Sequence, residues 1–140
     1  MIKIYTDGSC IGNPGPGGWA AIIINAKKQD SISGKKLHTT NNQMELLAPI
    51  KALEFFSKKE KIKIYTDSMY VKEGITSWIK IWKKNGWKTS NKKQVKNLEL
   101  WKKLDNLVNY HETEWKWIKA HAEDTFNIKV DKLAKQAALT

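Results

Sequence analysis

The chain has 140 residues, with 25 Lys and Arg against 14 Asp and Glu, a formal net charge of +11, 41% hydrophobic residues and a single cysteine. That length suits one domain, 1–140, able to bury roughly two thirds of its unfolded surface without cross-links, and the composition excludes a disordered tail or a fibre. Cys10 alone excludes an internal disulfide framework, the apolar run 19–24 is far short of the roughly 20 residues of a membrane span, and the opening segment reads as a strand and not as a signal peptide, so a soluble cytoplasmic protein is expected.

Ile2 to Thr6 predicts a strand ending at Asp7, followed by GSCIGNPGPGG, a turn-rich segment expected to break it. Trp19 to Asn25 predicts a second strand and Ser31 to Thr40 a weaker third. From Asn42 the apolar spacing becomes helical through Leu46, Leu47, Ile50 and Leu53, with Asn41 or Asn42 as cap. Pro49 cannot donate to the Glu45 carbonyl, which predicts a local kink there. Lys63-Ile-Tyr-Thr-Asp67 then repeats Lys3-Ile-Tyr-Thr-Asp7 residue for residue. Two such strands joined through the helix make parallel neighbours by a right-handed crossover. Ligands in sheets of this kind gather beyond the carboxyl ends of the strands, where Asp7 and Asp67 would meet.

Ser68 to Gly74 and Ile75 to Lys84 read as helices, Thr89 to Lys93 as a polar basic loop, and Val95 to Val108 as helical again. Trp115 to Ala120 alternates as a strand, and a last helix from about Asn127 carries Val130, Leu133, Ala134 and Ala137 on one stripe, with Asp131 near its start. The order is βββαβαααβα, an α/β fold with a mixed sheet. Every basic residue is a lysine, and the stretch from Lys72 to Lys103 holds ten of them against Glu73 and Glu99. Lysine is a point charge without the planar fork of arginine, so a polyanion would be gripped by charge and shape more than by base identity. A solvated lysine-rich surface is the alternative. Trp87, Trp101, Trp115 and Trp117 are assigned to packing, and His38 and His111 to the surface.

Two strand-end aspartates about 5 Å apart would raise one another's pKa unless a cation lay between them. Hard divalent ions bind through carboxylates and water, and clusters of this kind serve phosphodiester cleavage. Aspartates that merely cap the following turns are the simpler alternative for either residue alone; the duplicated context favours a metal site.

The motifs YTDGSCIGNPGPGGWA at 5–20, TTNNQMEL at 39–46, YTDS at 65–68, ITSWIKIWKKNGWKTSNKKQVKNLELW at 75–101 and KAHA with Asn127 and Asp131 together resemble type 1 ribonuclease H, the bacterial-type ribonuclease HI, over nearly the whole chain. The resemblance implies a ribonuclease H-like fold, a five-stranded mixed sheet in the order 3-2-1-4-5 flanked by helices. It implies hydrolysis of the RNA strand of RNA–DNA hybrids by a monomer without an obligate protein partner, leaving 5′-phosphate and 3′-hydroxyl ends. Asp7, Glu45, Asp67 and Asp131 then correspond to the metal-binding acids, holding two Mg²⁺ ions with substrate, Mn²⁺ being a possible substitute. His121 corresponds to the histidine that assists proton transfer or product departure. Cys10, Asn13, Asn41, Asn42 and Gln43 would face the minor groove, where 2′-hydroxyls distinguish RNA. Thr40 would hold a DNA phosphate, and Trp78, Trp82, Lys83, Lys84 and Lys88 would receive the DNA strand.

Departures from the family pattern are Ala120 and Glu123 near the histidine, where glycines are usual, and Met69 in place of a polar residue. They are expected to stiffen that loop, alter metal dependence or turnover, and remove one minor-groove contact. A nuclease of the same fold acting on DNA and a non-enzymatic nucleic-acid binding module are the two rival readings. The net charge suits all three equally.

Overall fold

The computed structural model describes residues 1–89, 91–119 and 124–140. Five strands, β1 (Ile2–Cys10), β2 (Gly15–Asn25), β3 (Lys28–Thr39), β4 (Lys61–Thr66) and β5 (Glu112–Trp117), form one sheet in the order β3-β2-β1-β4-β5. β1 and β2 pair antiparallel, as do β2 and β3, whereas β4 runs parallel to β1 and β5 parallel to β4. The expected mixed sheet and its strand order are thus observed. The repeated pentapeptide lies in register with itself, Lys3 opposite Lys63, Ile4 opposite Ile64 and Tyr5 opposite Tyr65. Side chains alternate across a strand. Ile2, Ile4, Ile62 and Ile64 therefore pack on one face with Leu46, Ile50, Leu53, Trp101 and Leu104. Tyr5, Ala20 and Ile22 pack on the other with Val130 and Ala134.

The first core belongs to the crossover helix α1 (Asn41–Glu54) and to α4 (Leu98–Tyr110), the second to α5 (Thr125–Leu139). Between β4 and α4, α2 (Met69–Glu73) passes through a π-helical turn, Gly74–Trp78, into α3 (Ile79–Lys84). α1 begins at Asn41 because its cap is Thr40, whose side chain accepts from the Gln43 amide at 3.2 Å; neither Asn41 nor Asn42 is the cap. Pro49 is buried inside this helix, which spans it without a break. α5 begins two residues before the expected start, since Asp124 accepts from the amides of Phe126 and Asn127 at 3.0 and 3.2 Å.

The hairpin of β1 and β2 corrects the expectation of a strand broken at Asp7. Pairing continues to Cys10 opposite Gly17, leaving only residues 11–14 as the turn. Here the glycines serve close approach: a Cβ on Gly8 would overlap the Glu45 amide of α1, and one on Gly18 would overlap the Ala134 carbonyl of α5. Asp7 consequently sits within a paired strand, opposite Ala20. No helix among the described residues is long and apolar enough to cross a membrane.

Candidate active site

Three separate elements bring carboxylates together at one end of the parallel strand pair. Asp7 projects from β1, Asp67 follows the last residue of β4, and Glu45 is the fifth residue of α1, one position beyond its first turn. One oxygen from each lies within 4.8 Å of the others, in agreement with the spacing expected of neighbouring strands. Asp7 and Glu45 are 3% and 7% exposed, which makes their charges costly without a counter-ion. Gly8 donates its amide to Glu45 Oε1 at 3.3 Å, and the close glycine backbone is what admits that bond. Glu45 Oε2 is buried with no hydrogen-bond partner among the described residues.

Burial first, and then the charge of Glu45, raise the Asp7 pKa far above the carboxylate range, with Asp131 and Asp67 adding to the effect. Burial and the charge of Asp67 raise that of Glu45, against hydrogen bonds from Asp7 and Gly8 that lower it. Asp131 borders the same cavity, of about 430 Å³, as Asp7, Glu45 and Asp67. From the following turn of α5, Lys135 pairs with Asp131 at 3.0 Å. This hydrogen bond raises the ammonium pKa. A buried carboxylate oxygen without a partner, oxygen donors only, and like charges held together fit a hard divalent cation.

Around the acids, the turn of the β1–β2 hairpin is tied to the start of α1. The Asn13 side chain accepts from the Asn41 amide at 2.9 Å, and Cys10 Sγ donates toward the carbonyls of Gly15 and Thr39 at 3.5 and 3.3 Å. Asn41 and Asn42 border the carboxylate cavity, and so does Met69. Trp78 and Trp82 stand apart from this group, half-buried in an aromatic cluster with ring centroids 5.9 Å from each other and 6.5 and 5.5 Å from Trp101. Lys84 and Lys88 are exposed, whereas Lys83 is engaged by Asp105 of α4 at 2.8 Å. Trp117 is 38% exposed and donates Nε1 to the Asp67 carbonyl at 3.2 Å, so it is not the packing residue expected. His121, Ala120 and Glu123 lie outside the described residues.

Residues 1–139 match the sequence model of the RNase H family. The chain belongs to the ribonuclease H family. A ribonuclease H from Wolbachia pipientis wMel is 57% identical over 138 residues, 99% of this chain and 95% of that protein. The crystal structure of LC9-RNase H1, a type 1 RNase H with the type 2 active-site motif, shares 31% identity at a TM-score of 0.88, covering 98% of this chain and 71% of that one. LC11-RNase H1, solved in complex with an RNA/DNA hybrid, shares the fold at a TM-score of 0.75 and 24% identity, covering 100% of each chain. In this ribonuclease H chain, sequence reasoning passed over Lys135, Tyr70 and Asn97. Lys135 was legible, being one helical turn beyond Asp131. Tyr70 and Asn97 were not, because the hydrogen bond from Asn97 Nδ2 to the Tyr70 hydroxyl joins residues 27 apart in sequence.

Proposed function

We propose that this chain is an endonuclease that hydrolyses the RNA strand of RNA–DNA hybrids, leaving 5′-phosphate and 3′-hydroxyl ends. The observation that carries the reading is the convergence of Asp7, Glu45 and Asp67 within 4.8 Å, with Asp131 on the same cavity, in a chain of the ribonuclease H family. Asp7, Glu45, Asp67 and Asp131 hold Mg²⁺, two ions when substrate is present, with Mn²⁺ able to substitute. When bound, such ions supply the Lewis acidity and charge neutralisation that phosphodiester hydrolysis needs.

The polypeptide's own contribution is placement. Burial of Asp7 and Glu45 and the short distances fix the oxygens before ligand arrives, so little reorganisation accompanies reaction. In the reaction a water gives up a proton as its oxygen bonds to phosphorus, the bond from phosphorus to the 3′ oxygen breaks, and that oxygen takes up a proton, so that one proton is lost and one gained. His121 serves the proton transfer or the departure of product, roles for which an imidazole side chain is suited. Cys10, Asn13, Asn41, Asn42 and Gln43 face the RNA side of the minor groove, and the Thr40 region holds a DNA phosphate. Trp78, Trp82, Lys83, Lys84 and Lys88 receive the DNA strand, Lys83 exchanging Asp105 for phosphate. The enzyme works as a cytoplasmic monomer with no obligate protein partner.

End-labelled RNA–DNA hybrid, double-stranded RNA and duplex DNA incubated with and without Mg²⁺ test this directly. Metal-dependent cutting confined to the RNA of the hybrid is expected, and Asp7→Asn abolishes it. Cutting of duplex DNA instead would favour the DNA nuclease, and binding without cutting the non-enzymatic module. Hybrid cleavage that survives Asp7→Asn refutes the assignment of the site.

A further inference from the structure

A chain of hydrogen bonds crosses from the end of β3 to the cap of α4. Thr39 Oγ1 donates to Gln43 Oε1 at 2.7 Å, and Gln43 Nε2 donates to Asn97 Oδ1 at 3.3 Å. Asn97 Nδ2 donates to the Tyr70 hydroxyl oxygen at 3.1 Å, and Trp101 Nε1 donates to the same oxygen at 3.0 Å. Three stretches that are distant in sequence, residues 39–43, Tyr70 and residues 97–101, meet in this chain. Tyr70 also borders the carboxylate cavity, while Gln43 and Asn97 line the neighbouring groove with Lys36 and Lys96.

Two features set the chain apart from incidental packing. Asn97 occupies the N-cap of α4, where an asparagine side chain ordinarily accepts from the free amides of the first turn, yet it makes no such bond and its φ is 60°. Its side chain is turned instead to Gln43 and Tyr70. The second feature is directional. The indole N–H of Trp101 can only donate, so the Tyr70 oxygen accepts there, and its remaining lone pair takes Asn97 Nδ2. Asn97 Oδ1 is thereby turned to Gln43, which presents Nε2 to it and Oε1 to Thr39. The Gln43 amide is held in one orientation, with one N–H and one lone pair left over for a ligand.

We propose that Tyr70 is a positioning residue for recognition of the hybrid: through Asn97 it locks the Gln43 amide in the orientation that meets the RNA strand. This rests on the hybrid reading above. A donor and an acceptor fixed in advance suit a 2′-hydroxyl, which can both donate and accept, and fixing them beforehand lowers the ordering cost of binding. The ring of Tyr70 packs edge-on against Trp78 and tilted against Trp101, at 5.7 and 5.2 Å between centroids, so the hydroxyl can be removed while the packing stays.

Tyr70→Phe makes that change. In the free protein, the side-chain amide signals of Gln43 in a ¹H–¹⁵N spectrum are expected to shift. In steady-state cleavage of hybrid, KM rises about fivefold, the worth of one hydrogen bond, while kcat stays within about twofold. In a Gln43→Ala background the same substitution adds nothing to KM, although any loss of melting temperature persists, which separates the positioning effect from a structural one. An unchanged KM, or penalties that add fully in the double variant, overturns the proposal. If the parent protein leaves hybrid uncut, the hybrid reading falls first, and the Gln43 signals alone then decide whether Tyr70 sets that amide.

Discussion

Asp7 and Glu45 are held at a cost that the fold tolerates, and the sign of their titration makes that cost measurable. Both carboxyls have raised pKa values in the folded chain, burial being the first cause for each. The folded state therefore keeps protons that the unfolded chain, with carboxyls titrating near 4, has already released. Their favourable contribution is complete below that pH and is lost as pH rises toward the raised values. The metal-free protein is expected to melt at progressively lower temperature from about pH 5 to 8. Asp7→Asn flattens this dependence and raises the melting temperature at pH 8, because a neutral amide needs neither to hold a proton against the solvent nor to bear a charge beside Glu45 and Asp67. Added Mg²⁺ stabilises the parent more at pH 8 than at pH 5 and the variant much less. A melting temperature that falls on Asp7→Asn at pH 8 without metal would contradict the repulsive cluster. Lys135 offsets part of the repulsion through Asp131, but from a half-exposed side chain whose charge is screened by water.

At the scale of elements, His111 shows how a residue assigned to the surface becomes a joint. It is 4% exposed at the junction of α4 and β5, where Nδ1 accepts from the Glu60 amide at 3.0 Å and Nε2 meets the Leu53 carbonyl at 3.2 Å. The ring thus ties the end of α1 to the approach to β4 and packs edge-on against Phe56 and Tyr110. A single polar residue among loop-like neighbours gave no periodic signal, so its burial was not legible. His111→Phe keeps the ring but leaves a part-buried amide and a buried carbonyl without these partners, and is expected to cost about 2 kcal/mol in denaturant unfolding. Metal binding at the distant carboxylates should be unaffected; a stability within about 0.5 kcal/mol of the parent would show the joint to be idle. Elements with strong periodicity were readable: β1, β2, α1 and the apolar stripe of α5 fell near their expected places. The boundaries that failed do not share one cause, and β5 begins at Glu112, three residues before the expected Trp115. Glycines at Gly8 and Gly18 looked like turn residues, and only the helices pressed against them reveal their purpose. The cap residues Thr40 and Asp124 likewise moved the helix starts.

Across the whole molecule, what was legible of the candidate site depended on whether the residues shared a local context. Asp7 and Asp67 announced themselves through the repeated pentapeptide, since identical strands laid in parallel bring identical ends together. Glu45 and Asp131 carried no such signal, being ordinary helical acids until α1 and α5 are packed on the sheet; the family motifs supplied them. The surplus of lysine is the other whole-molecule property readable at once, and it leads to a measurable expectation. A +11 chain without arginine has point charges to offer phosphates and little bidentate reading of bases. Each neutralised phosphate releases counter-ions, so affinity falls as a power of salt concentration. With about four phosphates engaged, hybrid binding in the absence of divalent metal is expected to weaken on the order of a hundredfold between about 50 and 200 mM salt. Lys84→Ala and Lys88→Ala, both exposed side chains, should each reduce the log–log slope by roughly one and weaken hybrids of different sequence equally. Fluorescence anisotropy on two hybrids of unrelated sequence reads both quantities. A slope near zero, or a preference for one hybrid that persists as salt rises, would mean that contacts other than lysine and phosphate dominate the grip.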